Sequence, residues 1–352
     1  MAQSQDMTAR IEARVNHGLL GQWYAVCKSV QVQPGQPHAV KALGSNIVLW
    51  RDAAGKLQCV EDFCPHRGAP LSRGEVKEGL IACRYHGVAV DGTGTIKRVP
   101  AMPDCALEGR KAVRTYPVTE AADAVFVYIA GASDARNASA PPPINLPPEL
   151  TDPAWTGFLC VSPWEANYRY ALDNLADPMH GCYLHAESFT LAYGSKQDIM
   201  KLEKTDTGFI VSRVEQAGEN FDWTEMVFGA STYCRLDLPY PKAAGPGGIF
   251  RIIGYVLPVD EIHCTVFFWR LRKIDGLARH SWRFLYRALL EERHWNVLEQ
   301  DREMLSAMPD DARRREMLYQ HDVGVSRVRL VLKQMARDQI EAEDAAVMQA
   351  AG

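Results

Sequence analysis

Between residues 64 and 86 the chain offers two cysteine–histidine pairs, Cys64-Pro65-His66 and Cys83-Arg84-Tyr85-His86, with sixteen residues between His66 and Cys83. Four metal-binding side chains on two short loops need a scaffold that brings both loops to one point. The flanking sequence supplies short strands separated by turns. Ser45–Trp50 reads as a strand, Asp52-Ala53-Ala54-Gly55 as a turn, Leu57–Val60 as the return strand, and Val125–Ile129 as a continuous apolar strand. Each ligand loop has a glycine just past its histidine, Gly68 and Gly87, where a tight backbone turn is needed, and Pro65 stiffens the first loop. Two thiolates and two imidazoles suit a two-iron, two-sulfide cluster whose irons are treated unequally. Thiolates hold one iron and neutral imidazoles the other, which raises the reduction potential. A closed tetrahedral zinc site uses the same residue types. Zinc motifs usually pair Cys with Cys and His with His, however, and here each loop mixes the two.

The run Cys64-Pro65-His66-Arg67-Gly68-Ala69-Pro70-Leu71, followed by Cys83-Arg84-Tyr85-His86-Gly87, resembles the Rieske motif of ring-hydroxylating and demethylating oxygenases. The resemblance implies a [2Fe–2S] cluster on Cys64, His66, Cys83 and His86. One departure concerns packing rather than ligation: the family commonly places Trp and Phe after the second His-Gly, and this chain has Val88 and Val90. The remaining cysteines, Cys27, Cys59, Cys105, Cys160, Cys182, Cys234 and Cys264, sit mostly among apolar neighbours and read as small core hydrophobes.

A second constellation follows at Asn174-Leu175-Ala176-Asp177-Pro178-Met179-His180-Gly181-Cys182-Tyr183-Leu184-His185. It resembles the N-x-x-D-x-x-H-x-x-x-x-H signature of the same oxygenases. That resemblance implies His180 and His185 as ligands of a mononuclear iron(II). It also implies Asp177 as a bridge to a cluster histidine of a neighbouring subunit, and Asn174 near the iron. Two histidines and one carboxylate leave positions open for dioxygen. A spacing of five does not put both imidazoles on one face of a regular helix, and Gly181 is a point where the helix can distort or end. Asp177 before Pro178 also suits a helix N-cap with proline at the first helical position, a role compatible with the bridge.

The third ligand is sought on a late helix, Trp295–Met308. There Val297, Leu298, Met304, Leu305 and Met308 fall on one face, with Asp301 in the middle of the stripe and Glu299, Gln300, Arg302 and Glu303 to its sides or opposite. A buried, unpaired carboxylate is costly, and coordination removes the cost. Asp301 also lies where the resembled smaller oxygenases carry their ligand acid. The alternative is a rotated helix that leaves Asp301 solvated or paired with Arg302. His294, on the same stripe, is its rival for a supporting role.

Composition shifts at Ala138-Ser139-Ala140-Pro141-Pro142-Pro143, with Pro147-Pro148 shortly after, a stretch fit for a linker. The expected division is residues 1–150, an all-β cluster domain with an N-terminal extension, and residues 151–352, a catalytic α+β domain. In the second, a helical stretch is expected over roughly Ala166–His185, strands at Gly208–Val211, Ile249–Leu257 and Ile262–Leu271, and helices at Trp282–Met308 and Val325–Ala336, so that helices pack on a mainly antiparallel sheet. A formal net charge of −4 gives no electrostatic case for nucleic acid. No apolar run is long enough to suggest a membrane span. The N-terminal segment has an acid and no apolar stretch, unlike a signal peptide, so a cytoplasmic location is expected.

Motif order and chain length resemble the smaller, α-only branch of these oxygenases. That implies a homotrimer in which each cluster serves the next subunit's iron, with dioxygen as co-substrate. It also implies a separate reductase, with or without a ferredoxin, so that NAD(P)H acts only indirectly. No flavin or nicotinamide Gly-rich loop and no plant-type C-x-x-x-x-C-x-x-C run occurs in the chain. The expected reaction is monooxygenation of an aromatic or related cyclic compound, by hydroxylation or oxidative O- or N-demethylation. The alternatives are cis-dihydroxylation of an aromatic ring and, in another class, a Rieske electron carrier without oxygenase activity. His180, His185 and Asp301 argue against the carrier. Phe221, Trp223, Phe228, Tyr255 and Trp269 suit a pocket wall and ordinary core alike, and no arginine stands out as an anion partner.

Overall fold

The Asp52 side chain accepts hydrogen bonds from Ala54 N and Lys56 N at 2.9 and 3.0 Å, closing the turn between strands Ser45–Arg51 and Leu57–Glu61. In the computed structural model the described residues are 2–131, 140–188, 191, 195–215, 221–240, 248–309 and 311–351, so Ala138 and Ser139 of the proline-rich stretch lie outside them. The chain packs as two compact units, residues 20–142 and residues 1–19 with 143–352.

The first unit is built from short antiparallel strands: β1 (Gln22–Lys28), β2 (His38–Ala42), β3 (Ser45–Arg51), β4 (Leu57–Glu61), β5 (Glu75–Lys77), β6 (Leu80–Ala82), β7 (Ala89–Val90), β8 (Ile96–Arg98), β9 (Val118–Ala121) and β10 (Ala124–Ile129). They form three small sheets ordered β1-β10-β9, β2-β3-β4 and β5-β6-β7-β8. Val48, Trp50, Val60, Leu71 and Ile81 make a core that also holds Cys64 and Cys83. Val88 and Val90 are buried in the same core, so aliphatic side chains fill the positions after the second His-Gly.

The second unit is α+β. Strands β11 (Trp155–Trp164), β12 (Met200–Lys204), β13 (Gly208–Arg213), β14 (Trp223–Val227), β15 (Tyr233–Tyr240), β16 (Gly248–Pro258) and β17 (Cys264–Lys273) form one antiparallel sheet ordered β11-β17-β16-β15-β14-β13-β12. The third expected strand starts at Cys264 rather than Ile262, because Asp260 accepts from the Ile262 and His263 amides and holds them in a turn. Strands β14 and β15 carry Glu225 and Arg235 directly opposite one another and ion-paired, which hides the usual alternation of apolar and polar residues.

Three helical expectations are corrected. The stretch Ala166–His185 is not one helix: it runs Tyr168–Leu175, breaks, and resumes at Gly181–Leu184. Pro178 lacks an amide hydrogen and restricts Asp177 before it, so the helix cannot pass through. The helix expected from Trp282 begins earlier, at Gly276–Leu285, and passes through a π-helical turn at Tyr286–Leu290 before Glu291–Ser306. The last helix covers Val323–Ala351. The N-terminal extension, assigned from sequence to the first half, is a helix (Ala2–His17) that packs with the second unit. Ile11 and Val15 are buried, Arg10 pairs with Asp344 at 2.7 Å, and Arg14 pairs with Glu343 at 3.0 Å. Among the described residues no helix is long and apolar enough to cross a membrane.

Candidate metal centres

Two loops with the same hydrogen-bond pattern present the first four residues. Cys64 N donates to Ala69 O at 2.9 Å and Gly68 N to Cys64 O at 2.8 Å; Cys83 N donates to Val88 O at 2.9 Å and Gly87 N to Cys83 O at 2.9 Å. Both glycines are left-handed, at φ +77° and +73°, and a Cβ on either would meet Phe63 or Pro100 at 2.9 Å. The thiols lie at the floor of the loops, Cys64 and Cys83 being 2% and 3% exposed. The imidazoles of His66 and His86 are exposed, with ring centroids 4.6 Å apart.

Burial pushes the Cys64 thiol up, and the adjacent Cys83 adds to the effect. A metal reverses that preference by stabilising thiolates. Among the described residues, no three of these four bring ligand atoms within 4.8 Å of one another. Ligands of one tetrahedral zinc lie under about 4 Å apart. The spread and the division into buried thiols and exposed imidazoles fit a two-iron cluster better than a single ion.

The second group is assembled by the helix break. Asp177 Oδ1 accepts from Met179 N at 2.8 Å, which fixes the turn, and the Asp177 carbonyl accepts from His180 Nδ1 at 2.5 Å. Its second carboxylate oxygen stands 3.9 Å from His180 Nδ1. Asp177 therefore stabilises a turn, and His180, with no side-chain cap hydrogen bond, takes the N-cap position of the short helix that follows. Past the turn, Gly181–Leu184 brings His185 round so that both Nε2 atoms face one point. His180 Nε2 and His185 Nε2 lie 3.6 and 3.3 Å from Asp301 Oδ1, and the two rings are nearly perpendicular at 76°.

Asp301 comes from the Glu291–Ser306 helix, where Leu298, Asp301 and Leu305 are the buried residues. Arg302 pairs with Glu299, not with Asp301. The expected apolar stripe is narrower than its spacing suggested, because Met304 and Met308 are 50% and 39% exposed. Asp301 Oδ1 is buried, with the His185 Nε2 atom 3.3 Å away and no well-formed hydrogen bond. Such an oxygen is costly unless a cation meets it. Burial lowers the His185 pKa, but the Asp301 carboxylate and the Gln300 contact outweigh burial and raise it above the ordinary imidazole value.

In the sequence Gln300 reads as a flanking residue, yet Gln300 Oε1 lies 2.8 Å from His185 Nδ1. Both imidazoles are thus held through Nδ1 with Nε2 directed at the same point, the arrangement of metal-bound histidines. His180, His185 and Asp301 bring one ligand atom each within 4.8 Å of one another. This donor set fits a facial two-histidine, one-carboxylate iron site.

The triad borders a cavity of about 650 Å³, counting its mouth. Asn174 lines it, and most of the wall is apolar, including Phe221, Leu236, Phe250 and Phe268. Phe221 meets the His180 ring edge-on at 5.7 Å. Trp223, Phe228, Tyr255 and Trp269 are absent from the lining. His294 lines the cavity too, its ring 4.8 Å from Phe250, and burial beside Arg270 holds its pKa down at about 3.

Residues 22–117 match the Rieske [2Fe–2S] domain, and residues 164–338 match the vanillate O-demethylase oxygenase C-terminal domain. The chain is 35% identical over 176 residues to the terminal oxygenase component of carbazole 1,9a-dioxygenase from Metapseudomonas resinovorans, covering 49% of this chain and 44% of that protein. It is 32% identical over 166 residues to a vanillate O-demethylase oxygenase subunit from a Pseudomonas species, covering 47% and 45%. The matches thus span under half the length of these relatives. Among solved structures, a fluorene-bound oxygenase–ferredoxin complex of carbazole 1,9a-dioxygenase superposes with a TM-score of 0.74 at 21% identity, over 94% of this chain and 95% of that one.

Proposed function

Because this chain belongs to the Rieske non-haem iron oxygenases, we propose that it is a terminal oxygenase that monooxygenates an aromatic or related cyclic compound, by hydroxylation or oxidative O- or N-demethylation. One observation carries this: His180, His185 and a buried Asp301 converge on a largely apolar cavity. A protein that only carried electrons would need neither the triad nor the cavity.

Members of the family hold a [2Fe–2S] cluster and a mononuclear iron, and use dioxygen. Here Cys64 and Cys83 would hold the inner iron of the cluster, His66 and His86 the outer one, and His180, His185 and Asp301 the mononuclear iron(II). When bound, these groups supply single electrons and activate dioxygen beside the substrate. The protein's own part is positional. The Asp177 carbonyl and Gln300 amide fix the two imidazoles, apolar walls keep water from the open side, and the cavity holds a ring next to the triad. The Asp177 carboxylate, using one oxygen for the turn, offers the other to a cluster histidine of a neighbouring subunit in a homotrimer.

Monooxygenation is favoured by the match of residues 164–338 to the vanillate O-demethylase oxygenase domain. Similarity to a carbazole 1,9a-dioxygenase component supports cis-dihydroxylation as a second reading. Solved oxygenase–ferredoxin complexes of this fold support a separate electron-transfer partner. The test is product analysis under labelled dioxygen, with a ferredoxin and reductase and a panel of aromatic acids, aryl methyl ethers and heterocycles. One labelled oxygen, or release of formaldehyde, is the expected result. Two labelled oxygens in a cis-diol would favour dihydroxylation, and no oxygen uptake with an intact cluster would leave only a carrier. His180→Ala and Asp301→Ala are expected to keep the cluster spectrum and lose turnover.

A further inference from the structure

Arg270, on β17, lines the cavity that the iron triad borders and is 3% exposed. Its guanidinium donates from Nη1 to Tyr286 Oη at 2.7 Å and from Nη2 to the His294 carbonyl at 3.0 Å, and its Cζ sits 5.2 Å from the centre of the Trp295 ring. Those acceptors and the ring are neutral. Among the described residues no carboxylate lies within ion-pairing distance of Arg270. Arg213, the other arginine of this unit buried to the same degree at 4% exposed, lies 3.4 Å from Asp198. A buried charge is ordinarily paired, because the interior does not replace the lost hydration.

The position of this cation is fixed relative to the triad. Arg270 is tied to His294, and Asp301 follows on the same helix two turns later, about 10 Å along the axis. A single ring with an acid at one end and the reactive group at the other can bridge that gap. Between the two ends the lining is apolar, with Phe250, Ile252, Phe268, Val297 and Leu298. The π-helical turn at Tyr286–Leu290 begins with the tyrosine that holds Arg270, so the cation's support comes from a locally irregular part of the helix.

We propose that Arg270 is a specificity-determining residue that binds the carboxylate of an aromatic acid and so directs the opposite end of the ring to the iron triad. This rests on the oxygenase reading and narrows its substrate class from cyclic compounds to aromatic carboxylates. A carboxylate supplies the missing anion and meets the planar guanidinium through charge-assisted hydrogen bonds. His294 stays neutral beside it, so one positive charge faces the ligand.

The test is equilibrium binding to the iron-loaded holoprotein of matched acid and amide pairs: 4-methoxybenzoate with 4-methoxybenzamide, and 2-naphthoate with 2-naphthamide. For at least one pair the acid is expected to bind roughly 10- to 100-fold more tightly than the amide. Arg270→Met should abolish that preference and Arg270→Lys should retain part of it, at unchanged cluster absorbance and iron content. The comparison in unmodified protein stands even if Arg270→Met misfolds. Equal binding of acid and amide in every pair, absence of binding by both, or a preference that survives Arg270→Met in folded protein overturns the proposal. Acid-selective binding that depends on Arg270 but is followed by no oxygen uptake with any compound would sink the oxygenase reading instead, so the two failures are distinguishable.

Discussion

Gln300 Oε1 lies 2.8 Å from His185 Nδ1, while Asp301, the next residue, faces Nε2 of the same ring at 3.3 Å. Neighbouring residues on one helix turn thus address both nitrogens of one imidazole. The amide oxygen keeps the proton on Nδ1 and leaves Nε2 to bind metal. Replacing Gln300 by Leu should weaken iron binding by roughly 10- to 100-fold. Chelator competition followed by iron analysis checks this, and unchanged affinity would show that the contact does not orient the ring.

Iron loading should depend on pH through His185. Its pKa is raised above 6.5 because Asp301 and Gln300 outweigh the opposing effect of burial. A proton on His185 competes with the metal, so affinity should fall as pH drops, beginning above 6.5. In metal-free protein the linkage runs the other way. The charged His185–Asp301 pair stabilises fully below the ordinary imidazole value and is lost as pH rises through the raised one. Iron titrations and thermal melts across pH 5–8 (roughly the histidine range) measure both; a flat iron affinity would exclude His185 as a competing base.

Asp177→Asn separates two roles of one side chain. Asparagine keeps an oxygen for the Met179 amide, so the turn and both metal centres should survive, whereas the negative charge is removed. Single-turnover oxidation of the pre-reduced cluster should slow by at least about tenfold if the carboxylate links the two centres across subunits. An unchanged rate would confine Asp177 to the turn.

Gly87→Ala should impair cluster assembly. The residue sits at φ +73°, and Pro100 Cγ lies 2.9 Å from where the alanine Cβ would stand, so the substitution brings backbone strain and a close contact, together about 1–3 kcal/mol. The ratio of visible to protein absorbance reads cluster content. Full occupancy and unchanged thermal stability would show that the loop relaxes freely.

Glu149 is 5% exposed and accepts from Arg235 at 2.9 Å and Arg251 at 2.5 Å. Glu149→Ala should cost about 2–3 kcal/mol, less than a fully buried pair because the arginine side chains are 23% and 20% exposed. Burial raises the Glu149 pKa, but its backbone contact and the arginines outweigh it and hold the carboxyl below its ordinary range. Its contribution is therefore present above the ordinary glutamate value and lost as pH falls through the lowered one. Denaturant melts of both proteins, at neutral pH and near pH 4 (around the unperturbed glutamate pKa), should differ less at the lower pH.

The candidate ligands were legible because each motif is local: Cys64, His66, Cys83 and His86 on two loops, His180 and His185 within one segment. Asp301 was reachable because a carboxylate inside an apolar stripe conflicts with its surroundings. Gln300 was not, since a polar residue beside the stripe looks the same whether it meets water or a histidine remote in sequence. Arg270 was hidden for a related reason. In sequence it is one of three basic residues in the strand Cys264–Lys273, and only the fold reveals that no acid among the described residues stands opposite. The Pro178 break could have been read from Asp177-Pro178, but the cap reading of that pair competed with it.

The helix made of residues 2–17 rests against the helix of residues 323–351 within the unit that also holds the iron triad. A ribosome delivers the first of these partners before any of the cluster-bearing unit and the second after all of it. The triad's unit therefore cannot close until the intervening unit has been threaded through its sequence as an insertion. Removing the first nineteen residues would bare the surface that Ile11 and Val15 cover, so the damage should appear at the mononuclear centre, far along the chain from the cut.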